Sequence, residues 1–289
     1  MGGGYLLASA ASVSYGTATV LQARGVTLLA RLGGPASRIR CIHAGSPYVA
    51  GLILDGSGFL MSVVALRTLP VFLVQALVCS SIAVTAVLAV PILGAVLDRR
   101  QVVALLATCA GSALAAISAR EGAAARIPMT ARWGLMFAVL PIAALIGIAV
   151  RRGRRTRALV FAVASGSAFA LVAISARSLD LSRFGWHTMT DPLAWAVLLN
   201  GAAGAVAYAL ALAAGAVTAV ATVTFTVETL LPAAVGMLWL GDQVRPGYGL
   251  LVWVGLLGTL AGAVFLSRGA VAPERAPEPA VVRPDPGGM

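Results

Sequence analysis

The chain has 289 residues, of which 60% are hydrophobic and only 11% charged, with a mean hydropathy of +0.94. These values exclude an ordinary soluble domain. The formal charge of +11 comes from arginine alone among the basic residues, and the arginines gather at the ends of apolar runs, which argues for orientation in a membrane and against nucleic acid as a partner.

A helix needs roughly 20 apolar residues to cross ~30 Å of hydrocarbon, and nine runs qualify. The first, 5–23, carries Ser14, Tyr15, Thr19 and Gln22. Ala8-Ser9-Ala10 has the small residues of a cleavage site, but no basic stretch precedes it, so this span is expected to be retained. The second, 48–66, contains Asp55, which opens Asp55-Gly56-Ser57-Gly58. The third, 69–97, has Gln75 near its start; the fourth, fifth and sixth (101–119, 133–150, 158–176) are uncharged. The seventh, 192–213, holds Asn200 and Tyr208, and the eighth, 214–240, holds Glu228. No loop separates these two, yet one helix over 192–240 would be about 74 Å long, more than two bilayer cores. A hairpin is therefore expected at Ala213-Ala214-Gly215-Ala216. The ninth, 247–267, is glycine-rich (Gly255, Gly258, Gly262), a pattern that lets helices approach closely. Residues 269–289 contain five prolines and read as a disordered tail.

Arginines in alternate loops favour an N-terminus outside and a cytoplasmic C-terminus. Short matches between the halves recur in order. "LILDG" at 52–56 lies over "VLLNG" at 197–201, pairing Asp55 with Asn200. "VLD" at 96–98 matches "LGD" at 240–242, pairing Asp98 with Asp242, and "LQAR" at 21–24 matches "ISAR" at 174–177. Four spans precede residue 121, one stands alone, and four follow residue 157, so the second quartet starts from the opposite face. The expected fold is an all-α polytopic membrane protein with nine transmembrane helices, arranged as two inverted four-helix repeats joined by a central helix. Its expected parts are a first repeat over 1–120, a linking helix and basic cytoplasmic loop over 121–155, a second repeat over 156–268, and the tail over 269–289.

A carboxylate at the centre of a span costs ~2.5–3.5 kcal/mol on insertion scales, so Asp55 and Glu228 are the first candidates for a substrate or ion site. Neighbouring glycines could expose carbonyl oxygens beside Asp55. Alternatively, Asp55 is a neutral acid hydrogen-bonded to Ser57 or to a neighbouring helix. Pro232 frees the Glu228 carbonyl, and Thr224, four residues before the acid, shares its face; the plainer alternative is a packing kink and a neutral acid. Asn200, Gln75, Gln22 and Tyr15 complete the candidate set, and Ser14, Thr19 and Tyr208 could line a polar path. Cys41-Ile42-His43 and His187 fall in loops and do not make a metal site. Cys79 and Cys109 read as packing residues. No catalytic or nucleotide-binding motif appears, so neither an enzyme nor a bound cofactor is expected.

Glu228, Pro232 and Gly241-Asp242, followed by the glycine-rich last span, resemble the second repeat of EamA-like proteins in the drug/metabolite transporter superfamily. Two departures stand out: Pro232 is four residues past the glutamate instead of next to it, and Asp242 replaces a glutamate at the exit. "YGTATVLQARGV" (15–26) and "ALRTLPVFLVQ" (65–75) look most like the NIPA-type branch, which implies magnesium as one substrate. The expectation is thus a secondary transporter or facilitator in the cell membrane. It would carry a small polar or cationic metabolite or a divalent cation by alternating access, with Asp55 and Glu228 as metal ligands if a cation is carried. The rival is a non-transporting scaffold of a cell-envelope complex. The implied partners are the lipid bilayer and the substrate, and a homodimer is left open.

Overall fold

The computed structural model describes residues 2–30, 38–94, 96–122, 127–151, 153–179, 186–214 and 217–269. Twelve helices and one two-residue strand pair run in the order α1 (Gly3–Ala30), α2 (Arg38–Ala65), α3 (Val71–Cys79), α4 (Ser81–Leu93), α5 (Arg99–Ser118), β1 (Ala119–Arg120), α6 (Met129–Phe137), α7 (Val139–Val150), α8 (Arg154–Ser178), α9 (Trp186–Thr190), α10 (Pro192–Ala214), α11 (Val217–Trp239), β2 (Gln243–Val244) and α12 (Gly249–Gly269). Among the described residues, eight helical segments are long and apolar enough to cross a membrane. The chain is an all-α polytopic membrane protein. The eight do not include α1, a 28-residue helix diluted by serine, threonine and glycine that packs along α2.

Two spans are broken. The third bends at Ser80, which ends α3 and starts α4; its hydroxyl donates to the Leu77 carbonyl, and the Ser80-Ser81 pair gives the local weakness. The fifth bends at Ala138, where Pro141 removes a helical N–H. The seventh and eighth spans part where the hairpin was expected, α10 ending at Ala214 and α11 starting at Val217; residues 215–216 lie outside the described ones. Helices α1 and α2 run well past the apolar runs and take in Arg24, so the expected loop is shorter. His43 and His187 also fall in helices, α2 and α9, instead of loops, though their side chains lie outside the described ones. The tail from residue 270 likewise lies outside the described residues.

Helix α8 is the most enclosed span, 67% of its apolar window being buried, against 11% for α6–α7 at the periphery. It packs on α10 and α11, as α1 packs on α2 and on α3–α4; α5 pairs with α12, and α3 touches α11. The α5–α12 seam depends on small residues. A Cβ on Gly111 would fall on the backbone of Thr259 and Gly255, and one on Gly262 on Thr108 and the Ala104 carbonyl. Glycine there lets the two backbones touch.

The chain crosses back and forth, so the start of α1, the ends of α2, α5, α8 and α11, and the start of α3 share one end of the bundle. We call it the first end. The largest apolar cluster lies there and joins both halves, with Leu69, Phe72 and Leu73 beside Ile174, Ala233 and Leu256. At the second end the apolar clusters are separate. One joins α7, α8, α10 and α11 around Phe161 and Val220; another joins α4, α5 and α12 around Ala83, Ala104 and Leu266.

Candidate functional site

Helix α2 is continuous through Asp55-Gly56-Ser57-Gly58, so the glycine carbonyls stay in the helical ladder instead of opening toward a ligand. Ser57 does not hold the acid either: its hydroxyl donates to the Leu54 carbonyl and lies 3.1 Å from Ser14 Oγ. The helix face decides where Asp55 points. It shares its side of α2 with buried Gly51, Gly58 and Ser62, while Ile53, Leu60 and Val64 form the exposed opposite face. Asp55 is exposed although it stands beside Gly51 and Gly58, which pack against α1.

Glu228 stands in a stripe of α11 with Val220, Thr224, Pro232 and Gly236, all buried. Glu228 itself is half-buried, between the buried Thr224 and Pro232. Tyr15 of α1, Cys79 of α3 and Tyr208 of α10 are near enough to feel its charge, and Gly166 of α8 packs against its backbone. Tyr15 feels Asp55 as well and interacts with the Ser62 hydroxyl. The Tyr15 phenol thus lies within electrostatic range of both acids, one from each half. Among the described residues neither carboxylate forms an ion pair.

The other candidates divide. Gln22 lies over Gly51, one turn from Asp55, and so borders the same side of α2. Gln75 is buried at the sealed end of α3. Thr224 uses its hydroxyl on the Ala162 carbonyl of α8, 3.3 Å away, and so acts in helix packing. Asn200 is fully buried and donates to the Leu135 and Ala196 carbonyls at 3.1 and 2.9 Å, which ties α10 to α6; its Oδ1 has no partner. Thr19 is exposed, and its hydroxyl is spent on the Tyr15 carbonyl. Among the described residues no cluster of three or more His, Cys, Asp or Glu could enclose a metal ion.

Sequence reasoning missed the most polar feature of the interior, an ion pair between Arg177 and Asp242 whose side chains are 1% and 0% exposed. Arg177, in the last turn of α8, donates from Nε and Nη2 to Asp242 Oδ1 at 3.1 and 2.9 Å. It also donates to the Leu66 carbonyl and, at 2.9 Å, to the Gly122 carbonyl. Asp242 Oδ2 accepts from the Val71 N–H at the start of α3. There the helix dipole and the free first-turn N–H both favour a carboxylate. Gly241 makes this reach feasible: its φ of 72° turns the chain so that the Asp242 N–H returns to the Gly236 carbonyl at 3.0 Å. The one signal in the sequence was Asp242 as the exit acid.

Comparisons with protein-family models, with curated proteins and with solved structures return no match.

Proposed function

We propose that the protein is a membrane transporter or facilitator that passes a small polar or cationic substrate, or a partly hydrated divalent cation, between Asp55, Tyr15 and Glu228. The observation that carries this reading is that, among the described residues, two acids from different halves form no ion pair and lie within electrostatic range of one tyrosine. Acids within spans are costly unless they serve a path through the membrane. The scattered arrangement suits a ligand that keeps some water or spreads its charge, since a bare magnesium ion demands a tight octahedron of oxygens.

The packing supports nine spans, with α1 as the first, in two inverted repeats. The contact of α1 with α2 has its counterpart in α8 with α10, and that of α1 with α4 in α8 with α11. Gly16 lies against the Ser81 carbonyl and Val84, as Gly166 lies against the Thr224 carbonyl and Val227. The same register sets Thr85 opposite Glu228. Repeats of this kind let one scaffold open to either side. The arginine distribution supports the first end as the non-cytoplasmic one, and the resemblance to EamA-like and NIPA-type proteins supports the transport reading.

Flux of magnesium and of small cationic metabolites into proteoliposomes tests the proposal. Asp55→Asn and Glu228→Gln should each abolish flux of the carried substrate while leaving membrane insertion unchanged. Wild-type flux from both variants would remove the mechanism and leave the scaffold reading in its place.

A further inference from the structure

The first end is sealed by more than apolar packing. Both members of the Arg177–Asp242 pair belong to the second half of the chain. What they grip belongs to the first half or follows just after it: the Leu66 carbonyl, the Val71 N–H and the Gly122 carbonyl. Across the same joint, β1 pairs with β2, and Arg245 bonds the carbonyls of Ser118 and Ala119. We propose that the Arg177–Asp242 pair is a preassembled latch. In this reading, which rests on the transport function above, the Tyr15–Glu228 region opens toward the first end when the intact pair lifts off those three backbone groups.

The chemistry favours a joint between the pair and the backbone over one between the charges. Parting Arg177 from Asp242 in a dry core would strand each charge, and a buried charge without its partner is strongly disfavoured. The three backbone groups are neutral and lie in connecting segments or at a helix terminus, so parting them from the pair strands no charge, although Leu66 and Val71 are themselves buried. The seat is also local in the sequence. Pro70 and Val71 start α3, and Pro70 already holds the extended conformation (φ −56°, ψ 146°) that a following proline requires. Val71→Pro therefore deletes the N–H that Asp242 grips at a helix position that tolerates proline.

The test uses the full chain in proteoliposomes, with Cys41, Cys79 and Cys109 replaced by serine and Tyr15→Cys as a single reporter. A membrane-impermeant thiol reagent is applied from each face in turn. The reporter should react from the second end in the parent chain, and Val71→Pro should raise its rate from the first end by roughly tenfold, the scale of one charged hydrogen bond. Asp242→Asn should raise it at least as much. A disulfide between Val71→Cys and Asp242→Cys should abolish reaction from the first end, whereas one between Arg177→Cys and Asp242→Cys should spare it. Unchanged first-end rates in both Val71→Pro and Asp242→Asn would overturn the latch, as would blockage by both disulfides. Labelling needs no substrate, so the two readings can fail separately. A reporter silent from both faces in every variant defeats the transport reading, while one reached only from the second end throughout defeats the latch alone.

Discussion

Asp98, which ends "VLD" at 96–98, and Asp242, which ends "LGD" at 240–242, lie at opposite ends of the bundle. Asp98 is exposed at the second end, where it caps α5: its carboxylate accepts from the Arg99 N–H at 2.7 Å, and Gln101 Oε1 accepts from its own N–H. Asp242 is sealed beneath Arg177 at the first end and holds elements of both halves. An aspartate thus serves as a local helix cap where packing is divided and as a tertiary tie where packing is continuous. What an acid does here depends on what its end of the bundle encloses.

The sharpest way to break that contrast is Arg177→Ala. It leaves Asp242 buried without its cation, so unfolding in detergent should show a loss of about 3–5 kcal/mol. An effect no larger than that of a surface residue would place water at the pair. Next is Gly236→Ala, whose methyl would sit on Asp242 Oδ2. Displacing the carboxylate should cost ~1–3 kcal/mol, and pairing it with Arg177→Ala in a double-mutant cycle should reveal strong coupling. Asp98→Ala should cost only about 1 kcal/mol, the worth of a cap, with no coupling to Arg177. Smallest is Arg132→Ala, which removes a partly exposed ion pair with Asp191 at the start of α10. A change within ~1 kcal/mol is expected in the same melting assay.

The spans were legible because their apolar runs are long, and so were the α10–α11 hairpin and the α12 glycine seam. Hydropathy says where a helix crosses but not how far it continues into water, so α1 and α2 overran their expected ends. Asp55 and Glu228 could be singled out by the cost of their placement; that Tyr15 comes within electrostatic range of both depends on how α1, α2 and α11 pack. Thr224 and Asn200 were sought as site residues because they are polar within spans, yet both spend hydrogen bonds on neighbouring helix carbonyls. Arg177 looked like one more loop arginine, since its partner lies 65 positions along the chain and no local pattern joins them.

The glycines between α5 and α12 let the two helix backbones meet, with the Thr108 and Thr259 hydroxyls beside the contact. One helix belongs to each half of the chain, so this seam works as a weld between them. The pair forms one close-packed unit, drawn tightest at Gly111 and Gly262. One added carbon at Gly111 or Gly262 would wedge the two backbones apart and loosen the tie between the halves.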